Sequence, residues 1–288
     1  MKLMLEILKK IKRQLYILFN IPIMLQYKKI SIKLPADHFL KDYQMNHLKH
    51  DKFLPHLSRF ISKNETVIDI GANVGDTLAG MAEKNSTLEY ICIEPDNYFF
   101  SLLEENVIRI KSSVKGLNVQ TIKALVGKNI SNVRLEGKDG SKHSVIEKNS
   151  IIKSRLLDEI VSNKKKIRLL KSDVDGFDYD VLDSSMCVIK KNKPIIFFEC
   201  EFNFKYQKLG YINTLKQLKI AGYCYWIVFD NFGEVFIKTS DLSIIFQLID
   251  YMWKQNVGKT TRTIFHYDIL TVQRNNLFFI DRVLKKYK

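Results

Sequence analysis

The chain has 288 residues, 46% apolar and 27% charged, with a net charge of +15; this excludes a disordered or fibrous chain and supplies core enough for one large α/β domain or two small ones. The charge invites a nucleic-acid reading, but only nine of the 46 basic residues are arginine, the residue suited to bidentate phosphate and base contacts. Diffuse lysine points instead to solvated faces, an acidic membrane surface or an anionic substrate, and away from sequence-specific nucleic-acid readout.

From Met1 to about Leu25, apolar residues such as Leu3, Ile7, Ile11, Leu15 and Leu18 recur at helical spacing beside Lys9, Lys10, Lys12 and Arg13. The apolar tract from Leu15 to Leu25 is broken by Asn20 and Pro22. It is too short to span a bilayer, and no small-residue cleavage site follows it as in a signal peptide. Two readings stand: a helix packed on its own domain or on the partner in a homodimer, and a basic amphipathic helix lying on an anionic membrane. Next come a strand at Lys29–Lys33 and an aromatic, polar segment holding His38, Tyr43 and His47, suited to fold over a ligand as a lid. Phe53, Leu54, Leu57, Phe60 and Ile61 share one helical face and lead into the first informative stretch.

That stretch is Val67-Ile-Asp-Ile-Gly-Ala-Asn-Val-Gly-Asp-Thr77. It predicts a buried strand, a tight turn and a helix start, with Gly71 bending the chain, Asn73 tolerating positive φ and Gly75 allowing close packing. A second strand, Leu88–Ile93, ends in Glu94, 23 residues after Gly71, where an acid can accept hydrogen bonds from the ribose of a nucleoside cofactor. Pro95-Asp-Asn97 reads as a turn and N-cap for a helix over 98–110, followed by a third strand over 118–126. Residues 129–148 read as a hairpin-like insertion near the cofactor mouth.

Ile167-Arg-Leu-Leu-Lys-Ser-Asp-Val-Asp-Gly-Phe-Asp178 runs a strand into two alternating carboxylates and a glycine. Ligands of open α/β sheets sit outside the carboxyl ends of the strands, so Asp173 and Asp175 are expected in one crevice with Gly71 and Glu94. Lys193-Pro-Ile-Ile-Phe-Phe-Glu-Cys-Glu201 is another buried strand ending in acids, Glu199 and Glu201. A helix over 212–221 and strands at 223–228 and 233–237 complete a βαβ series with a terminal hairpin; a helix, a strand at 268–272 and a basic helix follow. The four cysteines, Cys92, Cys187, Cys200 and Cys224, form no CxxC pair, which predicts buried free thiols in a reducing, cytoplasmic setting. With no internal repeat or low-complexity linker, one domain is expected: a basic amphipathic helix and lid over 1–48, the binding domain over 49–240, and a helix–strand–helix appendage packed on it over 241–288.

Together, Val67-Ile-Asp-Ile-Gly-Ala-Asn-Val-Gly75, Ile93-Glu-Pro95, Leu157-Asp158, Leu170-Lys-Ser-Asp-Val-Asp-Gly-Phe177 and Pro194-Ile-Ile-Phe-Phe-Glu199 make the chain resemble the FkbM-type family of class I S-adenosylmethionine (SAM) methyltransferases. The resemblance covers about residues 50–230. It departs at Ser172 and Asp175, where an isoleucine and a glutamate are expected, so Asp175 reaches one methylene less far. It implies an α/β, Rossmann-like, doubly wound sheet, mostly parallel with an antiparallel C-terminal hairpin, and SAM as cofactor. Gly71 and Gly75 would then let the main chain approach the methionine part, Asn73 suits a turn that holds no pyrophosphate, Asp69 would hold the methionine end, Glu94 would grip the ribose, and Ser144 is a weaker contact.

Methyl transfer needs an acceptor at near-attack distance and a group to take its proton. Asp173 is the first candidate, with Asp175 and Glu199 next; the same three acids could instead hold a divalent metal, the less favoured version. By resemblance the acceptor is an oxygen on a sugar or small molecule, such as a glycan precursor or secondary metabolite. A nucleic-acid methyltransferase and an NAD-dependent oxidoreductase are the competing readings.

Overall fold

The computed structural model describes residues 11, 13–128, 153–161, 166–259, 262 and 264–287, together with the backbone of 133–136 and 143–146. An antiparallel pair, β1 (Ile23–Gln26) and β2 (Ser31–Leu34), precedes helices α1 (Leu40–Asn46) and α2 (Phe53–Ser58). Strand and helix then alternate through β3 (Thr66–Ile70), α3 (Asp76–Lys84), β4 (Glu89–Ile93), α4 (Asn97–Ser113) and β5 (Asn118–Ile122). The expected hairpin is present as β6 (Val133–Glu136) paired with β7 (His143–Ile146). After α5 (Leu157–Ile160) come β8 (Ile167–Ser172), α6 (Asp178–Asp183), α7 (Met186–Asn192), β9 (Ile195–Cys200) and α8 (Lys205–Ile220). The chain ends through β10 (Tyr223–Phe229), β11 (Val235–Thr239), α9 (Leu242–Asn256), β12 (Tyr267–Gln273) and α10 (Leu277–Lys285).

Eight strands form one sheet in the order β11-β10-β12-β9-β8-β3-β4-β5. The five strands β5, β4, β3, β8 and β9 run parallel, each joined by helices, which is the mostly parallel, doubly wound arrangement expected from sequence. Helices cover both faces, so β3 is buried along its whole length and reads as a continuous apolar run. Val67 joins the core on one face and Ile68 the core on the other, as the two-residue period of a strand requires. Asp96 caps α4 as expected, its carboxylate accepting from the N–H groups of Tyr98 and Phe99.

Two boundaries drawn from sequence fall differently. The strand of the 241–288 segment is not an appendage: β12 lies inside the sheet, antiparallel to both β9 and β10. Its reversed direction matters for the site, because β12 begins where the parallel strands end. The N-terminal strands are likewise core, with Ile30, Ile32 and Leu34 fully buried. Asn106 of α4, itself fully buried, fixes them in place: its side-chain amide donates to the carbonyls of Lys33 and Val74, each at 2.8 Å, and its oxygen accepts from the Lys33 N–H at 2.7 Å.

The lid segment is propped by the turn between β10 and β11. His47 stacks on Phe232 with ring centroids 4.3 Å apart, Lys49 pairs with Glu234 at 2.7 Å, and the Tyr287 hydroxyl lies 3.3 Å and 3.2 Å from the carbonyls of Lys49 and Gly233. Ahead of it, Leu15, Ile17, Leu18, Phe19 and Ile21 are exposed, leaving uncovered the apolar strip that either a membrane surface or a partner chain would need. Among the described residues no helix is long and apolar enough to cross a membrane. All four cysteines are free; Cys187, expected to be buried, is exposed on α7.

Replacing Asn106 with alanine strands a buried N–H and two buried carbonyls. We expect Asn106→Ala to lower unfolding free energy by about 2–4 kcal/mol in urea denaturation; a loss under about 0.5 kcal/mol would contradict its bracing role.

Candidate active site

β3 ends at Ile70 and the chain turns at once. The N–H groups of Gly71 and Ala72 both donate to the carbonyl of Ile93, at 3.0 Å and 3.1 Å. Asn73 holds φ at 46°, the positive value that the sequence anticipates for it, and Gly75, capping α3, also takes a positive φ, 83°. Gly71, at φ 75°, also meets a packing limit, since a Cβ there would lie 1.8 Å from the carbonyl oxygen of Asp173. The ends of β3 and β8 touch main chain to main chain at this point, and the Asp173 N–H donates to the Ile70 carbonyl at 3.1 Å. No residue other than glycine fits there.

Glu94 fastens the turn to the end of β4: one carboxylate oxygen accepts from the Asn73 N–H and the other from the Asp96 N–H, both at 2.9 Å. Burial raises its pKa to about 7. Asp69 sits beneath the turn and is only 1% exposed. Its register partner on β8 is Lys171, whose ammonium lies 2.9 Å from Asp69 and 3.4 Å from Asp173 and donates to the Gly71 carbonyl at 3.1 Å. Burial works against the charge on Lys171, but Asp69 and Asp173 outweigh it and hold the ammonium protonated, well above its usual range. Asp69, expected at the methionine end of a cofactor, therefore faces Lys171 and shapes the turn from behind. Losing one member of such a pair leaves the other charged and buried, at a cost of about 3–5 kcal/mol.

In front of this frame lies a cavity of about 280 Å³, near the lower end of the range for small-molecule sites. Of the residues expected there, Gly71, Asn73, Asp173, Asp175 and Glu199 line it. Asp69, Gly75 and Glu94 stand outside the lining. Ser144 lies on β7 opposite Leu135, and its side chain is outside what the structure describes. Further wall residues come from places the sequence reading did not join to the site: Lys171 from β8, His266 just ahead of β12 and Asp268 within it, and His50 and Asp51 from the turn that follows the lid. His38 and Tyr43 of the lid segment line the cavity as well.

The chemistry of this wall is acidic. Asp175 sits at φ 51°, a conformation aspartate adopts more readily than longer acids. Burial, followed by the charges of Asp173 and Glu201, pushes it up to about 8. Burial likewise pushes Glu199 and Asp268 well above the usual carboxylate range, helped in both by Asp173. Asp268 is the register partner of Glu199 across the β9–β12 ladder. Two imidazole–carboxylate pairs stand among these acids: His266 Nδ1 lies 3.1 Å from Glu199, and His50 Nε2 lies 3.0 Å from Asp51. Ser172 has a reason of its own, as its hydroxyl donates to the buried Asp178 at 2.6 Å. Asp158 caps α7 through the N–H groups of Cys187 and Val188.

Burial is the largest cause of raised pKa values at Asp76, Glu94 and Asp178, each about 7, and at Asp175, about 8. A carboxyl group raised in the fold stays neutral while its unfolded counterpart ionises, so its contribution is full at low pH and is lost as pH rises to the folded value. His38 acts oppositely: burial lowers it from 6.5 to about 4, so it penalises the fold as pH falls through that window. The melting temperature is therefore expected to fall as pH rises from about 6.5 to about 8. Differential scanning calorimetry across that range checks it; a flat or rising profile would contradict the burial of these acids.

Residues 69–225, more than half of the chain, match the methyltransferase FkbM domain. A search of curated proteins finds no match. Among solved structures the chain is similar to the methyltransferase FkbM from Methylobacillus flagellatus KT, at 15% identity and a TM-score of 0.40, covering 73% of this chain and 44% of that one. It is also similar to precorrin-6y C5,15-methyltransferase from Geobacter metallireducens GS-15, at 10% identity and a TM-score of 0.40, over 76% of this chain and 85% of that one. TYW2 of M. jannaschii, in complex with AdoMet, aligns at 14% identity and a TM-score of 0.45 over 87% of this chain and 84% of that one. The domain match carries the assignment, and it spans the glycine turn, Lys171, Asp173, Asp175 and Glu199: the chain belongs to the FkbM methyltransferase family.

Proposed function

We propose that this methyltransferase takes its methyl group from SAM and delivers it to a hydroxyl oxygen of a sugar or other small molecule, such as a glycan precursor or secondary metabolite. One observation carries the reading: a chain of net charge +15 gathers Asp51, Asp173, Asp175, Glu199 and Asp268 around a single cavity at its strand ends. Carboxylates suit the sulfonium and ammonium of SAM. The pyrophosphate of a nicotinamide dinucleotide, or the backbone of a nucleic acid, would meet the same acids as repulsion.

In this reading Gly71 and Asn73 form the wall against the methionine part, with no side chain on Gly71 to hold it off. Glu94 stands behind Asn73 with both oxygens held by backbone donors, and would reach the ribose only with the lone pairs that those donors leave. Bound there, SAM supplies a methyl carbon already activated by sulfur, which passes to the acceptor oxygen as the carbon–sulfur bond breaks and its electron pair stays on sulfur. The protein orients the acceptor and moves its proton. Asp175 and Glu199 line the same wall and are placed to hydrogen-bond the acceptor. Asp173, half exposed and 3.4 Å from the Lys171 ammonium, takes the proton.

Tritiated-methyl transfer from SAM into cell extracts, fractionated into lipid, glycan, RNA and small molecules, is expected to label the glycan or small-molecule fraction. Asp173→Asn should lower turnover about 10²–10⁴-fold with SAM affinity little changed. Label confined to RNA, or full turnover in the variant, would sink the reading.

A further inference from the structure

The sequence offers Asp173, Asp175 and Glu199 as the alternative metal site. In the structure, the His, Cys, Asp and Glu side chains whose donor atoms converge, among the described residues, are Glu199, Glu201 and His266, with one donor atom of each within 4.8 Å of the others. Strand pairing sets this up. Tyr267 at the head of β12 pairs with Cys200 at the end of β9, so His266 emerges beside Glu201 while Glu199 lies one residue inside the ladder. Glu199 rests on β9 itself, and Glu201 and His266 stand one residue beyond the paired ends of β9 and β12, so the ladder fixes where all three side chains start.

We propose that Glu199, Glu201 and His266 hold one divalent transition-metal ion, of the Mn²⁺ or Zn²⁺ kind, at the cavity wall. Three observations point to a cation. The Oε2 atom of Glu199 is buried without a hydrogen-bond partner among the described residues, in a side chain only 8% exposed. An unpaired buried carboxylate oxygen is costly, and a metal ion is the partner that removes the cost. Second, the 3.1 Å between His266 Nδ1 and Glu199 Oε1 matches the separation of two neighbouring ligands on one ion with bonds of about 2.1 Å. Third, Lys171 is engaged by Asp69 and Asp173 and so leaves Glu199 without a fixed cation; Arg262 pairs with Glu201, and the ion would bind the carboxylate beside it.

One imidazole and two carboxylates suit a first-row transition ion better than Mg²⁺ or Ca²⁺, which prefer all-oxygen shells. Three protein ligands also leave positions open for an acceptor hydroxyl, whose pKa the ion would lower. That use of the ion rests on the proposed methyl transfer; its binding does not.

The test is isothermal titration of the full chain, stripped with EDTA and dialysed, with MnCl₂ and separately with ZnCl₂. One equivalent per chain is expected, weakened at least about 10-fold in both Glu199→Gln and His266→Gln and unchanged in Glu105→Gln, a remote acid on α4. Titrating the same samples with SAM reports separately on the fold and on the cofactor reading. No saturable uptake of either ion, or equal uptake in the two site variants and the parent chain, would overturn the proposal.

Discussion

The buried ion pair between Asp69 and Lys171 is the constraint on which the strand ends depend. Two opposite charges face each other between adjacent parallel strands with almost no solvent, a geometry tolerable only because each charge neutralises the other and the ammonium also bonds the Gly71 carbonyl. The same ammonium reaches Asp173. One side chain thereby sets the glycine turn, the end of β8 and the orientation of the Asp173 carboxylate. The contact of Gly71 with the Asp173 carbonyl completes the arrangement, since a Cβ at residue 71 would force the two strands apart where Lys171 needs them together.

Around this frame the charges are sorted by place. Lysines are spread along the chain, whereas acids from the turn after the lid, the end of β8, β9 and β12 meet at one cavity. Such a separation focuses a negative potential in a basic molecule, so the net charge misleads about the ligand while the local field does not. The insertion of β12 is what makes this possible. A parallel strand in that position would bring its tail to the site; an antiparallel one brings its head, and with it His266 and Asp268. The price is a set of buried carboxyl groups whose pKa values stand far above normal, the kind of perturbation that accompanies functional sites.

What was legible in the sequence was what is local. The turn at Gly71, Asn73 and Gly75, the cap at Asp96 and the acids closing β8 and β9 all follow from short-range pattern, and each is found where the pattern places it. Partners across the sheet were not legible. Lys171 was visible beside Asp173 and Asp175, but only the register of β3 against β8 makes it the partner of Asp69. His266-Tyr-Asp268 carries no signal until β12 is known to lie between β9 and β10, and His50 and Asp51, just after the lid, follow residues fixed by contacts with a turn almost two hundred residues away. Ser172, read as a departure from the family pattern, gains its reason from Asp178 six residues on, a bond that needs the fold to be seen.

The account stands on SAM as the occupant of the cavity beside Gly71. Isothermal titration of the purified chain with SAM and with NAD tests this most directly. SAM is expected to bind at one site per chain and NAD not at all, and Gly71→Ala, checked for retained secondary structure by circular dichroism, is expected to abolish the SAM signal. Binding of NAD, or SAM binding that survives in Gly71→Ala, would contradict the account.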